Sequence, residues 1–370
     1  MKGTAIKGRV RGQFIAVLFI AITIIGVVNA VAGTKEWDGF ADGFDANWTT
    51  NNNWKGIGGA GPNDDLIFAD KVCNLITGCF WTLKNTTTTN NFPINTSFKS
   101  LTLSGTRYRI RGNQIFLQNG LTFGKGQVGG NEPTPETTWN PNIILGDSQL
   151  WDGGLGDLIV NGIINLNGHV LEVAPLDKLI LNGDIGGSGL IEKDKSGLLT
   201  INGNAANFGR TTVKRGVLEV NGSLGRVEIE SGTLQGVGFV KDVFSRFATD
   251  SIISPGSGGN TSAILRASGE VELSRNTTLE IDLNGPVAGT DYDQLRVTGA
   301  DISLAGTDLD VRLGFTPATG QQFVIVSQVA AGGVIGTFEQ EGAFVEDGLL
   351  FQISYNANSV VLTCLGPAIP

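Results

Sequence analysis

Short apolar segments alternate with glycine and asparagine along most of this 370-residue chain. Four of these segments, rich in Leu, Ile, Val or Thr, lie at residues 198–201, 211–213, 217–220 and 227–229. Runs of this length, broken by Gly, Asn and Asp, are typical of β-strands. Apolar residues rarely recur at helical spacing. The pattern therefore predicts an all-β chain.

The strand segments also repeat at a fixed interval. Asn-Gly pairs fall at Asn182-Gly183, Asn202-Gly203 and Asn221-Gly222, which are 20 and then 19 residues apart. Several short strands in a period of about 20 residues are what one coil of a β-solenoid requires. Stacked coils also give a chain of this length one extended core. We expect a right-handed parallel β-solenoid of about ten coils, each advancing about 4.8 Å.

The two ends of the chain differ from its centre. Residues 33–97 are rich in aromatic residues, namely Trp37, Phe40, Phe44, Trp48, Trp54, Phe68, Phe80 and Trp81. We interpret this segment as an aromatic N-terminal cap, because an exposed solenoid end needs a plug; the alternative is a platform for stacking sugar rings. Coils are predicted at 98–300, a β-rich C-terminal cap at 301–363 and a tail at 364–370.

The first 32 residues have the features of a signal peptide. Four basic residues precede an uncharged apolar run at 14–28, and Ala30-Val31-Ala32 follows it. The run is shorter than the roughly 20 residues of a membrane-spanning helix. We expect cleavage after Ala32, or after Ala30, and a secreted or bacterial cell-surface protein with no transmembrane span in the mature chain.

Charge and cysteine content narrow the functional classes. The chain has 26 Lys and Arg and 35 Asp and Glu; loss of the four basic residues before position 33 changes the net charge from −9 to −13 (22 minus 35). Because nucleic-acid binding depends on basic residues that neutralise phosphate, we expect no nucleic-acid partner. In an exported protein Cys73 and Cys79 are a candidate disulfide, with three unpaired thiols as the alternative and Cys364 left over.

Candidate catalytic groups are few. His169 is the single histidine and is interpreted as a residue of a coil turn. Paired acids at i and i+2 occur at 228/230, 270/272, 291/293 and 308/310. On a strand such carboxylates lie about 7 Å apart, a spacing compatible with an inverting glycosidase and equally with any solvated strand face. No basic partner is evident for them in the sequence. We assign no catalytic, cofactor-binding or metal-ligating residues.

Residues 187–220 (GSGLIEKDKSGLLTINGNAANFGRTTVKRGVLEV) resemble the autotransporter-associated β-strand repeat of bacterial surface passengers. Phe208-Gly209 occupies the place of the aromatic-Gly turn, and Thr211-Thr212-Val213 that of the following strand. Residues 145–151 resemble the segment before the repeat, and 232–236 with 253–256 resemble the final coils. Residues 292–295, 353–355 and 360–363 are similar to the C-terminal capping segment. The resemblance covers residues 98–363.

This resemblance implies a non-enzymatic passenger fold with no shared catalytic residues. The residues after Thr363 are too few for the membrane β-barrel of autotransporters, so the expectation is a passenger-like chain without it. The first functional hypothesis is an extended scaffold or adhesin without cofactors, whose long face and protruding loops at 85–91 and 131–142 contact glycans, matrix or other cell-surface components. The second is a secreted polysaccharide lyase or hydrolase that uses one of the carboxylate pairs.

Overall fold

The strands were located in a computed structural model. It describes residues 32–368, except residues 40–44, 57, 70–71, 75–77, 81–85, 105–106, 125–135, 246–248, 258–260 and 330–331; for residues 72–74, 78–80, 207 and 208 it describes the backbone only. Ala32–Pro370 form one unit. The predicted signal peptide, apart from Ala32, lies outside the described residues.

Strands dominate the described part of the chain, with one 3-10 helix at Asn51–Asn53. The first strands are β1 (Thr34–Glu36), β2 (Asp65–Ile67), β3 (Val72–Asn74), β4 (Gly78–Phe80), β5 (Thr87–Asn90), β6 (Thr96–Phe98), β7 (Ser100–Leu103), β8 (Arg109–Gly112), β9 (Ile115–Leu117), β10 (Gly120–Phe123), β11 (Glu136–Trp139) and β12 (Ile143–Leu145). The central strands are β13 (Gln149–Gly153), β14 (Asp157–Val160), β15 (Ile164–Asn165), β16 (Val170–Ala174), β17 (Lys178–Leu181), β18 (Ile185–Gly186), β19 (Leu190–Lys193), β20 (Leu198–Ile201), β21 (Asn204–Val213), β22 (Val217–Val220), β23 (Ser223–Ile229), β24 (Ser231–Gly236), β25 (Phe239–Val240) and β26 (Val243–Phe244). The last are β27 (Asp250–Pro255), β28 (Ile264–Ala267), β29 (Val271–Glu272), β30 (Thr277–Leu283), β31 (Gln294–Val297), β32 (Ile302–Ser303), β33 (Asp308–Leu313), β34 (Gln322–Gln328), β35 (Val334–Ile335), β36 (Ala343–Glu346), β37 (Leu349–Asn356) and β38 (Ser359–Pro367).

Parallel strands form three faces, which the chain visits in a constant order. Face 2 is an eleven-stranded sheet of β5, β8, β11, β14, β17, β20, β22, β24, β27, β30 and β33. Face 3 begins as β6, β9, β12, β15 and β18, and face 1 as β1, β2, β7, β10, β13, β16 and β19. The long strands β21 and β23 each turn the corner from face 3 to face 1. After these two strands, each face continues with strands of its own. Face 3 continues as β25, β28, β31 and β34, and face 1 as β26, β29, β32 and β35. This confirms the predicted parallel β-solenoid, while its handedness stays a prediction.

Stacked aliphatic side chains fill the inside of face 2. Eight residues in register, one per coil and none more than 4 % exposed, are Leu158, Leu179, Leu199, Leu218, Leu234, Ile253, Leu279 and Leu309. Because strand side chains alternate between faces, Glu219 points away from this column. Burial of each side chain contributes about 2 kcal/mol, and neighbouring coils provide the burial, so the stack stabilises itself.

Asparagine side chains connect the coils at the corner between faces 2 and 3. The side-chain amide of Asn161 donates to Asn140 (2.8 Å), Asn182 to Asn161 (2.8 Å), Asn202 to Asn182 (2.7 Å) and Asn221 to Asn202 (3.1 Å). These five residues form a ladder whose steps are 19 to 21 residues long. The ladder runs along the outside of the corner, where its members are largely exposed.

Glycines follow four of the five ladder asparagines, because the backbones of successive coils come very close there. A Cβ atom on Gly183 would lie 2.2 Å from the carbonyl oxygen of Gly162, and one on Gly203 would lie 2.2 Å from that of Gly183. The same overlap would occur at Gly222, against Gly203, and at Gly238, against Gly222. Real Cβ atoms do not approach so closely, which explains the repeated Asn-Gly pair.

Aromatic side chains close the N-terminal end of the core. Trp37, Trp48, Trp54 and Phe68 are at most 3 % exposed, and Trp37 meets Trp54 edge to face at 5.2 Å between ring centroids. The indole nitrogens of Trp48 and Trp54 donate to Thr88 and to the Trp48 carbonyl. These rings form a compact core and offer no face for a sugar. Of the other predicted cap aromatics, Phe40, Phe44 and Trp81 lie outside the described residues, and Phe80 is described by its backbone only.

Antiparallel strands close the C-terminal end. Strand β38 pairs with β34 and β37, and β37 pairs with β36. The side chain of Gln340 covers the open edge of β33, because its oxygen accepts from Leu309 N (3.1 Å) and its nitrogen donates to Leu309 O (3.0 Å). In the described residues no helix is both long and apolar enough to cross a bilayer.

Two predicted loops are wrong in part. Within residues 131–142, Glu136–Trp139 is strand β11 of face 2, and Trp139 is fully buried. Within residues 85–91, Thr87–Asn90 is strand β5 of the same face. The three prolines at 133, 135 and 141 suggested a loop, but the Thr-Thr-Trp segment between the second and the third alternates as a strand does. Apart from the antiparallel pair of β3 and β4, parallel strands extend from β1 to β35, on both sides of the predicted coil segment 98–300. Strand β38 runs past Thr363 to Pro367.

Candidate functional site

Four glutamates occupy outward positions in one row along face 1, two of them in adjacent coils. The outward positions in register are Leu150, Glu172, Glu192, Thr212, Glu228, Phe244 and Glu272. Neighbouring strands are about 4.8 Å apart, so like charges in adjacent rungs repel each other. Basic side chains from neighbouring positions offset this repulsion. Lys214 donates to Glu192 at 2.7 Å, and this hydrogen bond raises the pKa of Lys214.

A shallow depression of 320 Å³ lies on this face where β21 and β23 turn the corner. Leu190 and Gly209 line it together with a cluster of Arg210, Arg226 and Glu228. The two arginines are partners in adjacent rungs. Glu228 joins them, since one of its oxygens lies 3.0 Å from Arg210 and the other 2.7 Å from Arg226. The cluster therefore carries one net positive charge on an acidic protein.

Packing holds this cluster in place. The Arg226 guanidinium lies 4.1 Å from the centre of the Phe244 ring, and its Nε is buried without a hydrogen-bond partner. Both oxygens of Glu228 contact a guanidinium, which holds the carboxylate between the two arginines. The arrangement is suited to binding a polar or anionic group.

The expectation that the acid pairs lack basic partners is wrong for two of them. Glu228 has Arg210 and Arg226, and Asp310 lies 3.0 Å from Arg312, which also contacts Glu280. Arg210 comes from the neighbouring coil and is apparent only once the coil register is known. Arg226 and Arg312 lie two residues from their acids on the same strand, a spacing that the sequence already shows. Glu230 lies beyond the end of β23, at the next corner, so it does not share a strand face with Glu228.

Two further acids of the predicted pairs make structural hydrogen bonds. Asp308 accepts from Gln340 (2.6 Å), and Asp291 accepts from Val287 N (3.1 Å). Glu270 is exposed in the turn before β29, and Glu272 lies on that strand. None of these residues shares the depression on face 1.

Asp293 is the most perturbed acid in the described residues. It is 1 % exposed, and its two oxygens accept from Ala263 N (2.7 Å) and Asp282 N (2.9 Å). Burial, with a contribution from the nearby Asp282 carboxylate, raises the pKa of Asp293 to about 7. Because both oxygens bond to backbone amides, this residue fixes the junction between β30 and β31.

His169 lies in the turn between β15 and β16, as predicted. Its Nδ1 is 4.0 Å from a carboxylate oxygen of Asp147, which is 74 % exposed. Among the described residues, no group of three or more His, Cys, Asp or Glu is placed to hold a metal ion.

Cys73 and Cys79 are opposite each other in the antiparallel pair of β3 and β4. Opposite residues in such a pair have Cα atoms about 4.5–5.5 Å apart, within the range that a disulfide spans. The register is compatible with the predicted bridge, which stays a prediction. Cys364 is buried and free.

Comparisons with known proteins add no family assignment. No protein-family model matches the chain, and no curated protein matches it.

Sequence reasoning missed the side-chain connections between coils. Lys193 is fully buried at the end of β19, where it donates to the carbonyls of Asp194 (2.9 Å), Lys195 (2.8 Å) and Arg215 (3.0 Å). Burial lowers the pKa of Lys193 to about 8. A signal existed, because Lys193 occupies an inward position in the alternation of β19. The positions of Arg210 and Arg226, one short coil apart, are a second such signal. They could have been used to infer that the two arginines lie side by side on adjacent rungs.

Proposed function

We propose that this protein is an exported, non-enzymatic surface protein that acts as an extended scaffold or adhesin. The observation that carries the proposal is the continuous parallel stack, which presents regular outward rows along its length. On face 1, Glu192 and Glu228 are held by ion pairs with Lys214 and Arg210 of neighbouring coils, and Glu228 also pairs with Arg226 of its own strand. Such a surface can contact a long partner at several coils at once, without a deep cleft.

The state of the carboxylates supports a binding role. Glu228 is shared by two guanidiniums, and Asp293 bonds to two backbone amides. Another acid on the stack, Asp194, accepts two hydrogen bonds from Arg215, which hold the pKa of Asp194 near 2. Acids held in this way stabilise the stack and are not available as catalytic acids.

Surface location and attachment test the proposal directly. Antibody labelling of intact cells, together with N-terminal sequencing of the exported chain, should find the protein outside and beginning at Gly33. The purified protein should also attach to cells or to immobilised matrix and glycans. Labelling that requires cell lysis, or a chain that retains Met1, would contradict export; a folded protein that attaches to none of these materials would contradict the adhesin role.

The depression on face 1 is the observation that favours the second candidate, a polysaccharide lyase or hydrolase. Arginines beside a carboxylate occur in a pocket that could hold one or two sugar residues. If Glu228 served as acid or base, Glu228→Gln would reduce turnover at least about a hundredfold. We expect no turnover of a polysaccharide panel by the purified protein. Turnover that Glu228→Gln abolishes, with an unchanged circular dichroism spectrum, would establish the enzyme instead.

A further inference from the structure

A second outward row, on face 3, combines an aromatic ring with two arginines. Phe239, Arg266, Arg296 and Ser327 are partners in register on the successive strands β25, β28, β31 and β34. Adjacent strands are about 4.8 Å apart, so the two arginine side chains leave the backbone on neighbouring rungs of one face. This row is separate from the cluster on face 1.

The two arginines of this row have no acidic partner in the described part of the chain. Arg266 donates to the carbonyls of Val237 (3.3 Å) and Ile264 (3.1 Å). Arg296 donates through Nε to the side-chain oxygen of Gln294 (3.1 Å). Like charges directly opposite each other are destabilising. Arg210 and Arg226 share Glu228, whereas Arg266 and Arg296 keep two uncompensated charges on a protein of net charge −9.

Hydrogen bonds to uncharged groups hold the guanidiniums of Arg266 and Arg296 in position. Gln294, which accepts from Arg296, itself donates to the carbonyl of Val324 at 2.7 Å and is almost fully buried. The hydrogen bonds to Val237 and Ile264 leave the rest of the Arg266 guanidinium unused. An arginine has five N–H donors, so both side chains retain donors for an anion, and a carboxylate or sulfate accepts two of them in parallel.

Phe239 adds an apolar surface at the end of the row. Its side chain is 54 % exposed, and the Arg266 guanidinium lies 5.3 Å from the ring centre. Val237, 45 % exposed, is two residues earlier in the chain. A ring of moderate size with one apolar face and an attached anionic group would satisfy both parts of this surface, by stacking on Phe239 and by bonding to the arginines.

We infer that the row of Phe239, Arg266 and Arg296 binds an acidic saccharide, such as a uronic-acid or sulfated sugar in a glycan chain. The inference deepens the proposed function, because it names the class of glycan that the scaffold contacts. A single-stranded nucleic acid also offers rings and anions. Its affinity depends on many phosphate contacts, however, and two arginines on an acidic protein supply few.

Titration calorimetry with trigalacturonate tests the inference, and the methyl-esterified trisaccharide serves as the neutral ligand. Trigalacturonate should bind, and the ester should bind at least about tenfold more weakly, since hydrogen bonds to charged groups contribute at least that factor. The double variant Arg266→Gln/Arg296→Gln should lose at least about tenfold. Phe239→Ala should weaken binding of both ligands. Arg275→Gln is the control, because Arg275 is an exposed arginine in the turn before β30 and outside this row, and it should change nothing.

Three results would overturn the inference. In the first, trigalacturonate does not bind; in the second, the ester binds as tightly as trigalacturonate. In the third, the double variant binds trigalacturonate as the wild type does, although its melting temperature and circular dichroism spectrum match the wild type. If the double variant does not fold, Arg296→Lys provides the test, because lysine keeps the positive charge and lacks the planar guanidinium that donates two parallel hydrogen bonds. Equal or tighter binding of an oligothymidylate would assign the row to phosphate polyanions instead. Attachment to cells that persists in the double variant would leave the adhesin role intact and reject this row as its glycan site.

Discussion

The side-chain nitrogen of Asn202 donates to the side-chain oxygen of Asn182 at 2.7 Å, across two successive coils. Asn182 in turn donates to Asn161 at 2.8 Å. Each inner member of the ladder thus donates one side-chain hydrogen bond and accepts another, which an ionised aspartate cannot do because it has no donor.

Removal of one ladder member should therefore destabilise the fold. We expect Asn182→Ala to lower the free energy of unfolding by about 1–2 kcal/mol, since two hydrogen bonds are lost at an exposed site. Urea unfolding followed by circular dichroism measures this change. Asn119→Ala is the control, because Asn119 is an exposed asparagine outside the ladder, and equal losses at the two positions would refute a specific role for the ladder.

The two faces of β22 should respond very differently to mutation. Leu218 is fully buried between Leu199 and Leu234, so Leu218→Asp places a carboxylate in the core and should cost several kcal/mol. Glu219 points outward and accepts from Asn221 and Gln235, both at 2.8 Å. We expect Glu219→Gln to cost at most about 1 kcal/mol. Thermal denaturation of both variants compares them, and similar losses would mean that the strand faces the other way.

Lys193 should make stability depend on alkaline pH. Its pKa is lowered to about 8 in the folded protein, against 10.5 in the unfolded chain. Between these values the unfolded chain binds more protons, so this residue's contribution to stability rises as the pH increases from about 8 to 10.5. Lys193→Met should remove that rise, and it should also destabilise the protein at pH 7 because three carbonyls lose their donor. Urea unfolding of both proteins at several pH values gives the difference between their free energies of unfolding. A difference that does not change with pH would contradict this account.

Asp293 should make the free energy of unfolding decrease as the pH rises, in a lower pH range than Lys193. Its folded pKa of about 7 exceeds the ordinary 3.8, so the folded protein binds the extra proton and stability falls as the pH rises from about 4 to 7. The change is about 1.4 kcal/mol for each unit of the shift. Asp293→Asn should flatten this part of the profile in chemical denaturation. A wild-type slope that survives in the variant would assign the effect to Asp157 or Glu346, whose pKa values burial also raises.

The cysteines give a covalent prediction. Because Cys73 and Cys79 are opposite in the β3–β4 pair and Cys364 is buried, exported protein should contain one disulfide and one free thiol. Intact-mass measurement before and after reduction, with alkylation under denaturing conditions, counts both. Three alkylated cysteines without reduction would exclude the bridge.

The coils could be predicted from the sequence, whereas the side-chain contacts between coils could not. Leu218 and Glu219 lie inside and outside the stack as their side-chain chemistry indicates, because burial in a strand has a period of two. The Asn-Gly pairs gave the coil length. The contacts of Arg210 with Glu228 depend on which residue of the next coil lies alongside, and coil lengths that vary by several residues hide that register. The prolines near 133 likewise concealed β11.

The glycines at 183, 203 and 222 bear on how such a protein can change in length. Each of these glycines fits closely against the backbone of the preceding coil, so the coils that carry an Asn-Gly corner share one mode of stacking there. Such coils can stack on one another at this corner. Adding or removing one in phase would lengthen or shorten the rod while both ends keep their original contacts.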